Sequence, residues 1–211
     1  MRRSALVVLA AVTAIGVVGG CGPKRWLLWQ ARPAAPAVAG KMAITVADHR
    51  EEKKGGKDTR VIGIEPQNNG FTGLIPLPLK LRSPTEVADA LRDLLGQAAL
   101  SSGIGVAPQG DPAPTSKLSV EVQTFWCTGF PPVMKVNITA SAILLGPDGA
   151  VRVPGQPLQA EDGSVSCQHA YMKALNTLYT NAQGLFSQQP VHDAATGAGG
   201  GAPPPPPPAG G

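Results

Sequence analysis

Leu118-Ser119-Val120-Glu121-Val122-Gln123-Thr124, followed by Met134-Lys135-Val136-Asn137-Ile138-Thr139-Ala140-Ser141-Ala142-Ile143-Leu144, is the stretch that decides the fold. In both runs apolar residues alternate with polar ones, which is the period of a strand buried on one face and wet on the other. Thr128-Gly129-Phe130-Pro131-Pro132 separates them, and Gly146-Pro147-Asp148-Gly149 is a turn into a further strand near 150–161. A sheet with one apolar face needs a cover, and the flanking segments supply it.

Upstream, Val87, Leu91, Leu94, Leu95 and Ala98 recur at helical spacing after Ser83-Pro84-Thr85-Glu86, which reads as Ser N-cap, Pro at the first helical position and Glu closing a capping box. Downstream, Tyr171, Leu175, Leu178, Ala182 and Leu185 give a second helix over about Ser166 to Gln188. Nearer the start, Met42, Ile44 and Val46 alternate with Ala43, Thr45 and Ala47, and Val61 to Glu65 reads as another strand. Between them the charged run from Asp48 to Lys57, with Gly55-Gly56 at its tip, predicts a hairpin turn. Leu74 to Leu81 alternates too, but Pro76 and Pro78 restrict it to an edge strand or an extended loop. The expected fold is therefore α+β: a mostly antiparallel sheet of four to five strands with two helices packed on one face.

The 211 residues include 26 Gly and 22 Pro, and eight of these fall in residues 1–40 and thirteen in 190–211. Residues 41–189 accordingly read as a single α+β domain, with a disordered Gly/Pro-rich tail over 190–211 that contains Pro203 to Pro208. The formal charge of +4 has the same uneven origin. Arg2, Arg3, Lys24, Arg25 and Arg32 sit in residues 1–40 without an acid, while the rest carries 13 basic and 14 acidic residues. A groove that tracks phosphates needs its cations on the folded domain, so nucleic acid is excluded as an expected partner.

Residues 1–20 have the layout of a signal peptide: Met1-Arg2-Arg3, an apolar stretch from Ala5 to Val18, then Gly19-Gly20. Val18-Gly19-Gly20-Cys21 resembles the lipobox of bacterial lipoproteins, in which the Cys becomes the acylated first residue of the mature chain. That resemblance implies a lipid-bilayer anchor at Cys21, stable because several acyl chains insert together. Gly22 after the Cys, where retention would call for Asp, implies the outer membrane facing the periplasm, with the inner membrane or the cell surface as alternatives. Residues 21–40 then form the lipidated Cys and a linker. Within it Trp26-Leu27-Leu28-Trp29 has two readings: it rests in the lipid headgroup zone, or it is a short strand that folds back on the domain.

Two further cysteines remain, Cys127 and Cys167. In an oxidising compartment they are disulfide candidates, with two free buried thiols as the alternative. A metal or haem site from Cys127, Cys167, His169 and Met172 is disfavoured, because residues two apart on a helix face different ways. No metal site or cofactor is expected, and no catalytic residue emerges: nucleophile elbow, phosphate loop and His-Glu-x-x-His are all missing from the sequence. Asp48 and Arg50 could form an interaction pair, although a solvated hairpin is the stronger reading because charges of both signs surround them.

The lipobox, Ile44-Thr45-Val46-Ala47-Asp48-His49-Arg50 with Val61-Ile62-Gly63, and the helix Val87-x-x-x-Leu91-x-x-x-Leu95 together resemble the YajG-like family of bacterial lipoproteins over about residues 41–145. The resemblance implies a cell-envelope lipoprotein without catalytic residues. The expected function is a non-enzymatic accessory domain that binds an envelope protein or a cell-wall component. A small-ligand or metal-binding lipoprotein serving a transport system is the alternative. An exposed apolar patch or an uncapped sheet edge favours the first, and a large apolar pocket with convergent polar groups favours the second.

Overall fold

The structure is a computed structural model and describes residues 39–50, 59–66, 78–130 and 132–198. The expected signal peptide (1–20), Cys21, Trp26–Trp29, the Gly55-Gly56 tip and the polyproline run lie outside the described residues. Ten elements follow in order: β1 (Ala39–Asp48), β2 (Val61–Pro66), β3 (Pro78–Arg82), α1 (Val87–Ser101), β4 (Ile104–Val106), β5 (Ser116–Phe130), β6 (Val133–Leu145), β7 (Val151–Ser164), α2 (Cys167–Phe186) and α3 (Gln189–Thr196).

All seven strands belong to one mixed sheet, which corrects the expectation of a mostly antiparallel sheet of four to five strands. The long strands β5, β6 and β7 are antiparallel neighbours, as their alternation and turns require. The other edge of β5 is parallel: β1 pairs with it from Met42↔Ser116 to Asp48↔Val122, and β2 takes over at Gly63↔Cys127. β4 lies parallel on β1, and β3 antiparallel on β2. Alternation marks a strand but not its direction, and the long excursion through α1 between β1 and β5 is what permits a parallel pair. The expected β1–β2 hairpin is also corrected, because these strands do not pair and instead follow one another along a single edge of β5.

Among the described residues three helices, rather than two, cover one face. Val87, Leu91, Leu94, Leu95 and Ala98 of α1 and Tyr171, Leu175, Leu178, Ala182 and Leu185 of α2 are all buried against the inward side chains of the sheet. Each fully buried Leu or Phe in such a face contributes about 1.5–3 kcal/mol. The third helix, α3, starts with Pro190 in its first turn, ends on left-handed Gly197 and buries Val191 and Ala195, so the ordered chain extends past residue 189. It docks where β1 begins: Ser116 Oγ donates to the Ala195 carbonyl at 2.9 Å, and a Cβ on Gly40 would meet Thr196 Cα at 2.8 Å. The capping residue of α1 also differs from expectation. Helical geometry begins after Glu86, whose carboxylate accepts from the Thr59 hydroxyl, and Ser83 Oγ is buried without a partner.

One irregularity sets which residues of β5 face inward. Val122 pairs with Ala140 and Thr124 with Thr139, so Gln123 is an extra residue, a β-bulge. Before it Leu118, Val120 and Val122 are buried; after it the phase flips, and Phe125 and Cys127 are buried instead. Cys127 is thereby turned toward α2 and forms a disulfide with Cys167, with Cα atoms 5.9 Å apart. Beside it the Phe125 and Tyr171 rings stack at 5.2 Å, and the Tyr171 hydroxyl donates to the Ile62 carbonyl. The bridge closes a loop with a sequence separation of 40, worth about 4 kcal/mol in the chain-entropy model. The double variant Cys127→Ala, Cys167→Ala is therefore expected to lose roughly that much stability. Urea unfolding with and without reductant checks it: reductant should lower the midpoint of the native protein and leave the variant unchanged.

Candidate functional site

β1 ends at Asp48, where the amide of His49 makes a last bond to the Val122 carbonyl at 2.9 Å. β2 does not reach β5 until Gly63, so the β5 edge around Phe125 has no strand beside it. Arg50 fills that interval. Its Nε and Nη2 grip the two oxygens of Asp48 at 2.8 and 2.9 Å, Nη1 donates to the carbonyls of Val61 (3.0 Å) and Phe125 (3.4 Å), and Nη2 donates to that of Thr59 (2.7 Å). The planar guanidinium fork suits this set of acceptors, which a single ammonium could not serve. Both side chains are almost wholly inaccessible, at 1% for Arg50 and 8% for Asp48. The solvated-hairpin reading of this pair is therefore overturned, and the pair presents little charged surface to a partner.

Cys127 and Cys167 are brought together as a bridge with both residues fully buried. His169 is exposed, with Nδ1 at 3.1 Å from Oγ of Ser166, the N-cap of α2, and Met172 stands on the helix surface. Among the described residues no group of three or more His, Cys, Asp or Glu side chains is placed to hold a metal ion. Asp148 has its carboxyl held below the usual value by the Ala150 amide and then by Arg152, in the exposed turn between β6 and β7. That is turn chemistry rather than a reactive centre.

The distinctive features are on the surface. Phe130, Val133 and Val165 are exposed to 72%, 56% and 66%. Phe130 pairs with Val133 across the hairpin, and Val165 follows the Met134↔Ser164 pair, so the three form one apolar row at the end of the sheet. The next positions on the same outer face are polar: Thr128, Lys135, Asn137, Glu161 and Gln159 surround a half-buried Trp126. Two hollows open at the margins of the sheet. A groove of about 410 Å³ runs along β1 beside the 107–114 loop, and a polar hollow of about 300 Å³ lies between Asn137, Thr139, Gln159, Glu161 and Thr177. By alternation alone Phe130 falls in the turn between two strands. The available signal was the composition of Phe130-Pro131-Pro132-Val133, which is more apolar than a solvated turn requires.

No protein-family model matches the chain, and no curated protein matches it. Solved structures with similar shapes include a DUF330 protein from Xanthomonas campestris, at 16% identity, TM-score 0.48, covering 77% of this chain and 89% of that one. A minor lipoprotein from Acinetobacter baumannii matches at 10% identity and TM-score 0.37, covering 73% and 94%. A lipoprotein from Neisseria meningitidis matches at 11% and 0.37, covering 67% and 94%. Likeness at this level carries neither family nor function to this chain.

Removing one partner of a buried, hydrogen-bonded ion pair strands the other, typically at about 3–5 kcal/mol. Arg50→Ala is expected to fall in that range in chemical denaturation, and Arg50→Lys to recover only part of it. A loss below about 1 kcal/mol would show that the fork does not hold the two strands.

Proposed function

We propose that this is a non-enzymatic lipoprotein of the cell envelope, anchored through acylated Cys21, whose domain binds an envelope partner. The observation that carries the partner-binding reading is the apolar row Phe130, Val133 and Val165. Large apolar side chains exposed side by side, rimmed by polar residues, mark interaction surfaces in soluble domains. The row is also well placed. β5 runs from Ser116, beside the start of β1, to Phe130, and at about 3.3 Å per residue that is roughly 45 Å. A lipid tether entering at Ala39 would leave the apolar end at the far side of the domain from the anchor. A small-ligand carrier would need a cleft between sheet and helices, and there Phe125, Tyr171, Leu94, Leu95 and Phe186 pack into one continuous core.

Two variants separate anchoring from binding. Cys21→Ala is expected to move the protein from the membrane to the soluble fraction. The double variant Phe130→Asp, Val133→Asp is expected to stay membrane-bound, keep its stability within about 0.5 kcal/mol and lose its crosslinked partner in native membranes. An undiminished crosslinking pattern in that variant would sink the apolar-end assignment.

A further inference from the structure

Along β1 the backbone groups alternate between two sides. Lys41 exchanges bonds with Thr115, and His49 donates to Val122, so odd-numbered residues face β5. Met42 faces the other way, its carbonyl accepting from Ala107 at 2.9 Å. By the same alternation the N–H and C=O groups of Ile44 and Val46 point to the β4 side. β4 ends at Val106, opposite Met42, and Pro108, which has no N–H, turns the chain away into the 107–114 loop. Among the described residues no strand pairs with β1 on this side beyond that point. The groove of about 410 Å³ lies along this stretch of edge, lined by Ile44, Val46, Val106, Pro108, Arg92 and Lys117. Free ladder groups beside an apolar wall are the requirements for adding one extended segment.

We propose that the occupant is the chain's own Trp26–Gln30, added antiparallel to β1 as a further strand. Length permits it. The run from Ala39 to Ile44 is about 16 Å, and the eight residues 31–38 reach about 27 Å when extended, enough to double back around β4. Composition favours it as well. Trp26-Leu27-Leu28-Trp29 is apolar, rich in strand-forming aromatics and free of proline, whereas Pro33 and Pro36 fall in the return, where no ladder bond is needed. The segment is covalently tied near the groove, so its effective concentration is on the order of millimolar, and a modest contact suffices. Docked in this way, the segment leaves only Gly22 to Arg25 between the edge and Cys21. On the proposed anchoring, the β1 edge is then held close to the bilayer.

Residue-resolved amide exchange on the mature acylated chain in detergent micelles tests the docking. Ile44 and Val46 amides are expected to be protected at least about tenfold over an open edge, and to lose that protection in the variant W26S/L27S/L28S/W29S. Thr45 and Ala47, bonded to β5, should stay protected in both and so report that the domain remains folded. Repeating the pair of measurements on the C21S chain in buffer should reproduce the difference, since the docking needs no lipid. Open-edge exchange at Ile44 and Val46 in the native chain, or protection that survives the four substitutions, overturns the proposal. Failure of the anchoring would appear separately, as a soluble native protein with Ile44 and Val46 still protected.

Discussion

The guanidinium of Arg50 closes a gap that the strand order creates. Two strands from different parts of the chain share one edge of β5, and where the first stops and the second begins, carbonyls of Thr59, Val61 and Phe125 would face one another without donors. Unpaired buried carbonyls cost about 1–3 kcal/mol each, so the handover from β1 to β2 is viable only if a many-toothed donor sits in it. Asp48 neutralises that donor and fixes its orientation through two oxygens. A buried ion pair is weak evidence for stability in general, since desolvation offsets the attraction. Here its value lies in serving several backbone groups at once, which an apolar replacement could not do.

The bulge at Gln123 belongs to the same local solution. By adding one residue to β5 next to the handover, it reverses which side chains face the helices. Phe125 and Cys127 then meet Tyr171 and Cys167, and Tyr171 reaches on to the Ile62 carbonyl of β2. Gly63 is needed at that point because a Cβ there would lie 2.6 Å from the Cys127 carbonyl oxygen. In an unbulged β5, Cys127 would project from the wet face and could not reach α2. Ion pair, bulge, ring stack and disulfide therefore fix one region, where the N-terminus of α2 and strand β2 are both tied to β5.

What was legible in the sequence was what depends on local period. The faces of α1 and α2, the β5–β6 alternation and the turn at Asp148 follow from residues that are neighbours within an element. What was not legible depends on choices made between elements. The charges around Asp48 and Arg50 look solvated until the parallel placement of β1 and β2 buries them, and Ser83 looks like a cap until Glu86 is drawn to Thr59. Alternation through Thr124 hid the bulge, because nothing in Gln123-Thr124 marks the reversal of phase. Helix α3 falls in what the composition marks as tail, because its eight residues are too few to display a persuasive apolar stripe. Cysteine pairing follows from compartment chemistry, whereas the geometry that delivers it depends on the bulge.

These features give the domain a direction. Its inner face is closed by three helices and its outer face is mostly polar, so the sheet itself offers little that another protein would bury. The unspent apolar and backbone groups are at opposite ends of β5: near its start, opposite Leu118 and Val120, the ladder groups of Ile44 and Val46 that no described strand pairs, and at its far end the side chains of Phe130, Val133 and Val165. An unpaired edge left open to solvent invites self-association, and here the 107–114 loop narrows access to it. Covering that edge from within the chain, as proposed above, would remove the hazard and leave the apolar tip as the surface free to engage. The physical cost of an exposed Phe and two exposed Val side chains is then confined to the end that the proposed partner would bury.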